Sequence, residues 1–102
     1  MKYQLVLQLP SVSDADFDRL LSLQETIENG LGELGVVDGH DIGSGEMNIF
    51  IHTDEPIPAF ERAKHLLGSE DVLRELKAGY RGFDEEEYIA IFPKGLDHFS
   101  VV

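Results

Sequence analysis

The chain of 102 residues contains no cysteine. This absence excludes disulfide bonds, catalysis by a thiol and every metal site built from thiolates, and it fits a reducing compartment. No apolar run approaches the roughly 18 residues that a membrane span requires. The N-terminus enters an alternating segment without the apolar core of a signal peptide. We therefore expect a soluble, cytoplasmic protein that does not bind membranes.

Basic residues are also scarce: 8 lysines and arginines stand against 20 acidic residues, which gives a net charge of -12. A field of that sign repels phosphate backbones and anionic lipids, so we expect no nucleic-acid partner. The acidic surface either keeps the protein soluble or docks on a basic partner. The hydrophobic fraction of 42% is that of a globular chain, and residues 1–102 are short enough to form a single domain.

The N-terminal third predicts a strand followed by a helix. Residues 2–9 alternate between apolar and polar side chains until Pro10 ends the pattern. Ser13 is placed to cap a helix whose apolar residues recur at helical spacing as far as Gly30. Gln24 falls inside the apolar arc of that helix, where we expect it to reach an edge or a backbone carbonyl group.

Residues 34–53 predict a hairpin around Gly43-Ser44-Gly45. A three-residue loop pairs Ile42 with Glu46, His40 with Asn48, Asp38 with Phe50 and Val36 with His52. One face then carries the core residues Val37, Met47, Ile49 and Ile51, and the other carries Asp38, His40, Asn48, Phe50 and His52. A two-residue Ser44-Gly45 loop would move Asp38 and His40 to the apolar face, and burial favours the three-residue loop.

The C-terminal half predicts a second helix, which begins near Pro56 and ends at Gly68. Residues 69–76 suit either a short helix or the start of a strand. An extended segment over residues 77–83, an acidic turn over 84–87 and a strand over 88–92 follow. The last nine residues are too apolar for a free tail because they include Leu96, Phe99, Val101 and Val102.

This order of elements predicts an α+β domain with a ferredoxin-like antiparallel sheet, two helices packed on one face and a possible extra C-terminal strand. The hairpin region over residues 38–56 reads DGHDIGSGEMNIFIHTDEP. It resembles that of small bacterial proteins of unassigned function with a ferredoxin-like fold. The resemblance implies a fold and no activity.

A metal site is the first chemical possibility, because Asp38, His40, Asp41, His52 and Asp54 lie in one segment. In the three-residue register, the positions of the two histidines are about 13 Å apart along the sheet. Both imidazoles cannot then reach one zinc ion at about 2.0–2.1 Å. We expect no metal and no cofactor.

Phosphate binding and acid–base catalysis are two further chemical possibilities. The glycine turn precedes a strand rather than a helix and is flanked by Asp41 and Glu46, so it does not predict a phosphate site. General acid–base catalysis is possible through His40 or His52, with Asp38 orienting the imidazole. The same carboxylate–histidine pairs occur on many inert surfaces, so the sequence favours a non-enzymatic protein and leaves a small enzyme as the alternative.

The sheet face opposite the helices, called the open face below, is the strongest candidate for binding. By alternation it carries Val6, Phe50, Tyr88, Ala90 and Phe92, bordered by Gln4, Gln8, Asp38, His40, Asn48 and His52, while Ile89 and Ile91 turn inward. Clustered apolar side chains on an exposed face indicate a contact surface. The alternative is that the C-terminal segment covers this face through Leu96 and Phe99.

Three functional hypotheses follow. The first is a non-enzymatic binding or regulatory domain that forms a homodimer or binds a protein partner through Asp38, His40, Asn48, Phe50, His52 and Tyr88. The second is a small enzyme or ligand binder with a pocket on the open face and His40 or His52 as a proton-transfer group. The third, motivated by net charge alone, is an inhibitor or immunity-type protein that binds a basic partner.

Overall fold

A computed structural model describes residues 1–101, and the predicted apolar role of Val102 lies outside them. The elements are β1 (Tyr3–Pro10), α1 (Asp14–Gly30), a 3₁₀ turn (Gly32–Leu34), β2 (Val36–Gly43), β3 (Glu46–Thr53), α2 (Pro56–Leu67), α3 (Glu70–Glu75), β4 (Lys77–Gly82) and β5 (Ile89–Phe92). The fold is α+β, as predicted. Within residues 1–101, no helix combines the length and the hydrophobicity needed to cross a membrane.

The sheet has five strands in the order β2-β3-β1-β4-β5, and every neighbouring pair is antiparallel. The alternation predicted for the first strand places Leu5, Leu7 and Leu9 in the core with the apolar faces of the helices. The core also contains Leu20 and Ile27 of α1, Met47, Ile49 and Ile51 of β3, Ala59, Phe60, Ala63 and Leu67 of α2, and Ala78 of β4. The helices therefore lie on one face of the sheet.

The helix boundaries follow the local signals. The Ser13 hydroxyl accepts a hydrogen bond from the Asp16 amide at 3.2 Å, and Gly68 ends α2 with a left-handed φ of 61°. Residues 69–76, which suited a helix or a strand, contain α3. Gly30 has a packing role as well, because a Cβ atom there would lie 2.5 Å from a Leu66 methyl group.

The prediction of a three-residue hairpin loop is wrong. The turn consists of Ser44 and Gly45, both at positive φ (54° and 79°). Two positive φ values are typical of the two-residue turn whose twist matches that of the flanking strands. Ile42 accordingly pairs with Met47, and His40 pairs with Ile49 rather than with Asn48.

A β-bulge in β2 then restores the predicted pairing at the other end of the hairpin. The register shifts between Val37 and Gly39, so that Asp38 is the extra residue, and Gly39 rather than Asp38 pairs with Phe50. The shorter turn and the bulge each shift the alternation by one residue, and the two shifts cancel. Val36 is therefore opposite His52, as predicted.

A second bulge corrects the orientation predicted for Phe92. Ala78 pairs with Phe92, but Gly79 pairs with Ala90, which leaves Ile91 as the extra residue. Phe92 consequently packs on the helix side, with its ring centroid 5.5 Å from that of Phe60. Ile89 pairs with Tyr80, which packs against the core, so it lies on the predicted side of the sheet but is 52% exposed on the edge strand.

Candidate functional site

The open face is divided into a covered part and an exposed part. Residues 96–101, called the strap below, reach this face through two residues: Phe99 packs on Gly79 of β4, and the Ser100 carbonyl oxygen accepts a hydrogen bond from Gln8 of β1. Phe99 is only 4% exposed, and its ring centroid is 5.3 Å from that of Tyr88. The alternative in which the C-terminal segment covers the open face through Phe99 therefore holds for the centre of the sheet.

The exposed part lies over β2 and β3 and contains four apolar or aromatic side chains, called the aromatic patch below: Val36, Phe50, His52 and Phe83. Val36 is 58% exposed and lies opposite His52 in the strand pairing. The His52 ring meets the Phe83 ring edge to face, with centroids 4.8 Å apart. Phe50 is half-buried and precedes His52 by two residues on the same side of β3. These four side chains lie on one side of the sheet and are partly or largely exposed to water.

The bulge in β2 places Asp38 at the border of this patch. Its Oδ2 atom lies 3.5 Å from His52 Nε2, and the two side chains are 57% and 33% exposed. The carboxylate can orient the imidazole. Because both side chains are in contact with solvent, the arrangement is that of a surface ion pair as much as of a catalytic pair.

Asn48 belongs to a buried polar network at the strap rather than to the exposed patch. Its Oδ1 accepts a hydrogen bond from Gln8 Nε2 at 2.9 Å, and its Nδ2 donates to Asp41 Oδ1 at 3.0 Å. Gln8 is 4% exposed and Asn48 is 2% exposed. The two hydrogen bonds of Asn48 join β3 to β1 and to β2, so the network helps to fix the register of these strands.

His40 does not share the face of the other predicted site residues. The shorter turn moves it to the helix side, where its Nδ1 is 2.8 Å from Gln24 Oε1 and its ring packs edge to face on Phe17 at 6.0 Å. The glutamine inside the apolar arc of α1 was the sequence signal for this contact. His40 and His52 therefore cannot act on one substrate.

Tyr88 lies at the boundary between the two parts. Its hydroxyl donates a hydrogen bond to Gln4 Oε1 at 2.7 Å, and the Arg81 guanidinium stands 5.6 Å from its ring centroid. Arg81 also donates to the carbonyl oxygens of Phe83 and Glu85, which holds the acidic turn in place. Sequence reasoning missed Arg81, although its alternation with Gly79 in an extended segment would have placed it on this face.

Metal ligation receives no support from these positions. Within the described residues, no three histidine, aspartate or glutamate side chains are grouped as metal ligands. The physical reason differs from the predicted one, because His40 and His52 are on opposite faces of the sheet rather than far apart on one. The expectation that the protein needs no metal stays a prediction.

Comparisons with protein-family models, with curated proteins and with solved structures give no match for this chain. The functional assignment therefore rests on the geometry of the open face.

Proposed function

We propose that the protein is a non-enzymatic binding or regulatory domain that associates with itself through the aromatic patch. The observation that carries this proposal is the edge-to-face contact of His52 with a 42% exposed Phe83, next to a 58% exposed Val36. A ferredoxin-like arrangement of the first four strands and a cytoplasmic location belong to the same proposal. The two long helices pack on one side of the sheet, which supports the ferredoxin-like arrangement. The same packing leaves the other face available for contact.

The energetics allow a weak to moderate dimer. Val36, Phe50 and Phe83 are already about half buried, so covering what remains exposed would contribute about half of the roughly 1.5–3 kcal/mol that full burial of such a side chain gives, before the costs of association. The net charge of -12 on each protomer opposes pairing. Salt screens this repulsion beyond about 8 Å at physiological ionic strength, so association should strengthen as salt is added.

Light scattering at several protein concentrations tests the proposal. Phe50→Asp and Phe83→Asp should each weaken self-association by at least about tenfold, because a charge would have to be buried in the interface. Ile57→Asp is the matched control: Ile57 is 48% exposed but lies on α2, on the opposite side of the sheet. A wild-type protein that stays monomeric at high concentration and moderate salt would contradict the proposal.

The second candidate, a small enzyme or ligand binder, is favoured by the Asp38–His52 pair. A cleft of about 410 Å³ lies beside Phe83 and is lined by Lys2, Tyr3, Gly82, Phe83, Asp84 and Glu85. Neither Asp38 nor His52 lines this cleft, and His52 borders it only through its ring contact with Phe83. In this reading His52 is the proton-transfer group, since His40 is on the other face. In NMR screening of a fragment library, a bound compound should shift the signals of His52 and Phe83. The His52→Gln variant should lose the shift of Phe83. Compounds that shift neither residue would argue against a ligand site.

A further inference from the structure

The strap is seated on the sheet by one aromatic ring and a glycine. A Cβ atom at Gly79 would lie 2.6 Å from Phe99 Cδ1, so the ring occupies the space that any other residue at this position would fill. Gly79 pairs with Val6, which is fully buried although it points away from the helices. The ring of Phe99 therefore covers the apolar centre of the open face.

Besides the packing of Phe99 on Gly79 and on the Tyr88 ring, few contacts hold the strap. Among residues 1–101, one hydrogen bond joins it to the sheet, from Gln8 Nε2 to the Ser100 carbonyl oxygen at 3.0 Å. It has no strand pairing, and a cavity of about 240 Å³ remains between it and the Glu86–Tyr88 segment. The link from β5 is short and exposed, with Gly95 at a φ of 89°. Segments with few buried contacts and no ladder hydrogen bonds are the first to open.

We propose that the strap is an intramolecular gate on the open face: when Phe99 leaves Gly79, the apolar centre joins the aromatic patch and a second copy of the chain binds the enlarged surface. This inference rests on the proposed function, since it names the regulation of the same interface. Closed molecules present the aromatic patch alone and pair weakly. The measured affinity is then the intrinsic affinity reduced by the fraction of open molecules.

Two variants of the full chain open the gate in different ways. Gly79→Ala expels the ring by steric overlap, and Phe99→Ala removes the anchor without altering the sheet. His98→Ala, which changes an exposed neighbour within the strap, is the control. The ¹H–¹⁵N heteronuclear NOE of residues 97–101 reports opening, and light scattering reports association.

In both opening variants, the NOE values should fall and self-association should strengthen by about tenfold or more, as expected when a minor open state becomes dominant. His98→Ala should match the wild type in both measurements. An unchanged NOE in Phe99→Ala would overturn the gate and leave the proposed function intact. If the wild type associates and the opened variants associate equally or more weakly, the gate is also wrong and the proposed function stands. If the opened variants and the wild type all stay monomeric, the proposed self-association is wrong.

Discussion

Thr53 shows how much one buried polar side chain contributes to this fold. It is fully buried, and its hydroxyl donates to the Leu34 carbonyl oxygen at 2.6 Å and accepts from the Glu55 amide at 2.9 Å. These two hydrogen bonds connect the end of β3 to the entry into β2 and to the start of α2. A buried group that loses its partner costs more than the hydrogen bond itself contributed.

Thr53→Val should therefore lower the free energy of unfolding by about 1–3 kcal/mol, because two backbone groups lose their partner. Thr26→Val is the control: Thr26 is exposed, and its hydroxyl bonds only to the Ser22 carbonyl oxygen of its own helix. That change should stay within about 0.5 kcal/mol. Urea denaturation measures both variants, and equal stabilities would show that the Thr53 hydroxyl is dispensable.

At the scale of elements, we expect the hairpin turn to have a structural role. Gly45 has a φ of 79°, and a Cβ atom there would meet only Val12 Cγ1, at an ordinary 3.8 Å. Glycine is therefore required at position 45 for its backbone conformation, and a Cβ atom there would not clash with its neighbours. The flanking Asp41 and Glu46 would repel an anionic ligand, which leaves geometry as the reason for glycine.

Gly45→Val should cost about 1–2 kcal/mol of stability, the penalty for a branched L-residue in a left-handed conformation. Ser44→Gly, one residue earlier, should be neutral or stabilising because Ser44 already has a φ of 54°. Thermal and urea unfolding compare the pair. If Gly45→Val unfolds at the wild-type midpoint, the turn must adopt another conformation at no cost.

At the scale of the whole molecule, charge is the dominant property. Twenty acidic residues against 8 basic ones produce self-repulsion in the compact state. The ion pairs Lys64–Glu61, Arg74–Glu70 and Arg74–Asp71 are local contacts within helices on exposed surfaces, and each contributes little. Stability should consequently depend on the ionic strength of the solution.

The melting temperature should rise when salt shortens the Debye length from about 30 Å at 0.01 M to about 8 Å at 0.15 M. The expected cause is screening of repulsion, so chloride salts of different cations should act alike at equal ionic strength. Calorimetry at low protein concentration separates this effect from association. A melting temperature that is flat or falling over this range would contradict it.

Local sequence patterns were sufficient to predict most of the helices and strands. The alternation of residues 3–9, the capping serine at position 13 and the terminating Gly68 each act within a few residues, so their structural consequences can be derived without the rest of the chain. The α+β class follows from the order of these elements. The inward side of the β1 leucines follows in the same way, whereas the central position of β1 results from the pairing of the strands.

Tertiary structure decided which side chains share the open face. Alternation along a strand has period two, so one residue more or less in a turn or a bulge reverses it. Gly43-Ser44-Gly45 is compatible with turns of both lengths, and β2 is an edge strand whose polar side chains reach water on either side of the sheet. Burial therefore could not select the face of His40. The contact with Gln24 on α1, distant in sequence, accompanies the observed choice.

The cover of the open face was likewise outside the reach of local patterns. Apolar residues in the last nine positions indicated that the segment packs somewhere, and Gly79 in an extended segment carried no sign of its partner. The packing of Phe99 on Gly79 joins positions 20 residues apart through a surface that exists only once β1, β4 and β5 are paired. The sequence by itself determined that the sheet has apolar residues on the face away from the helices. Only the pairing of the strands determined that Phe99 covers them.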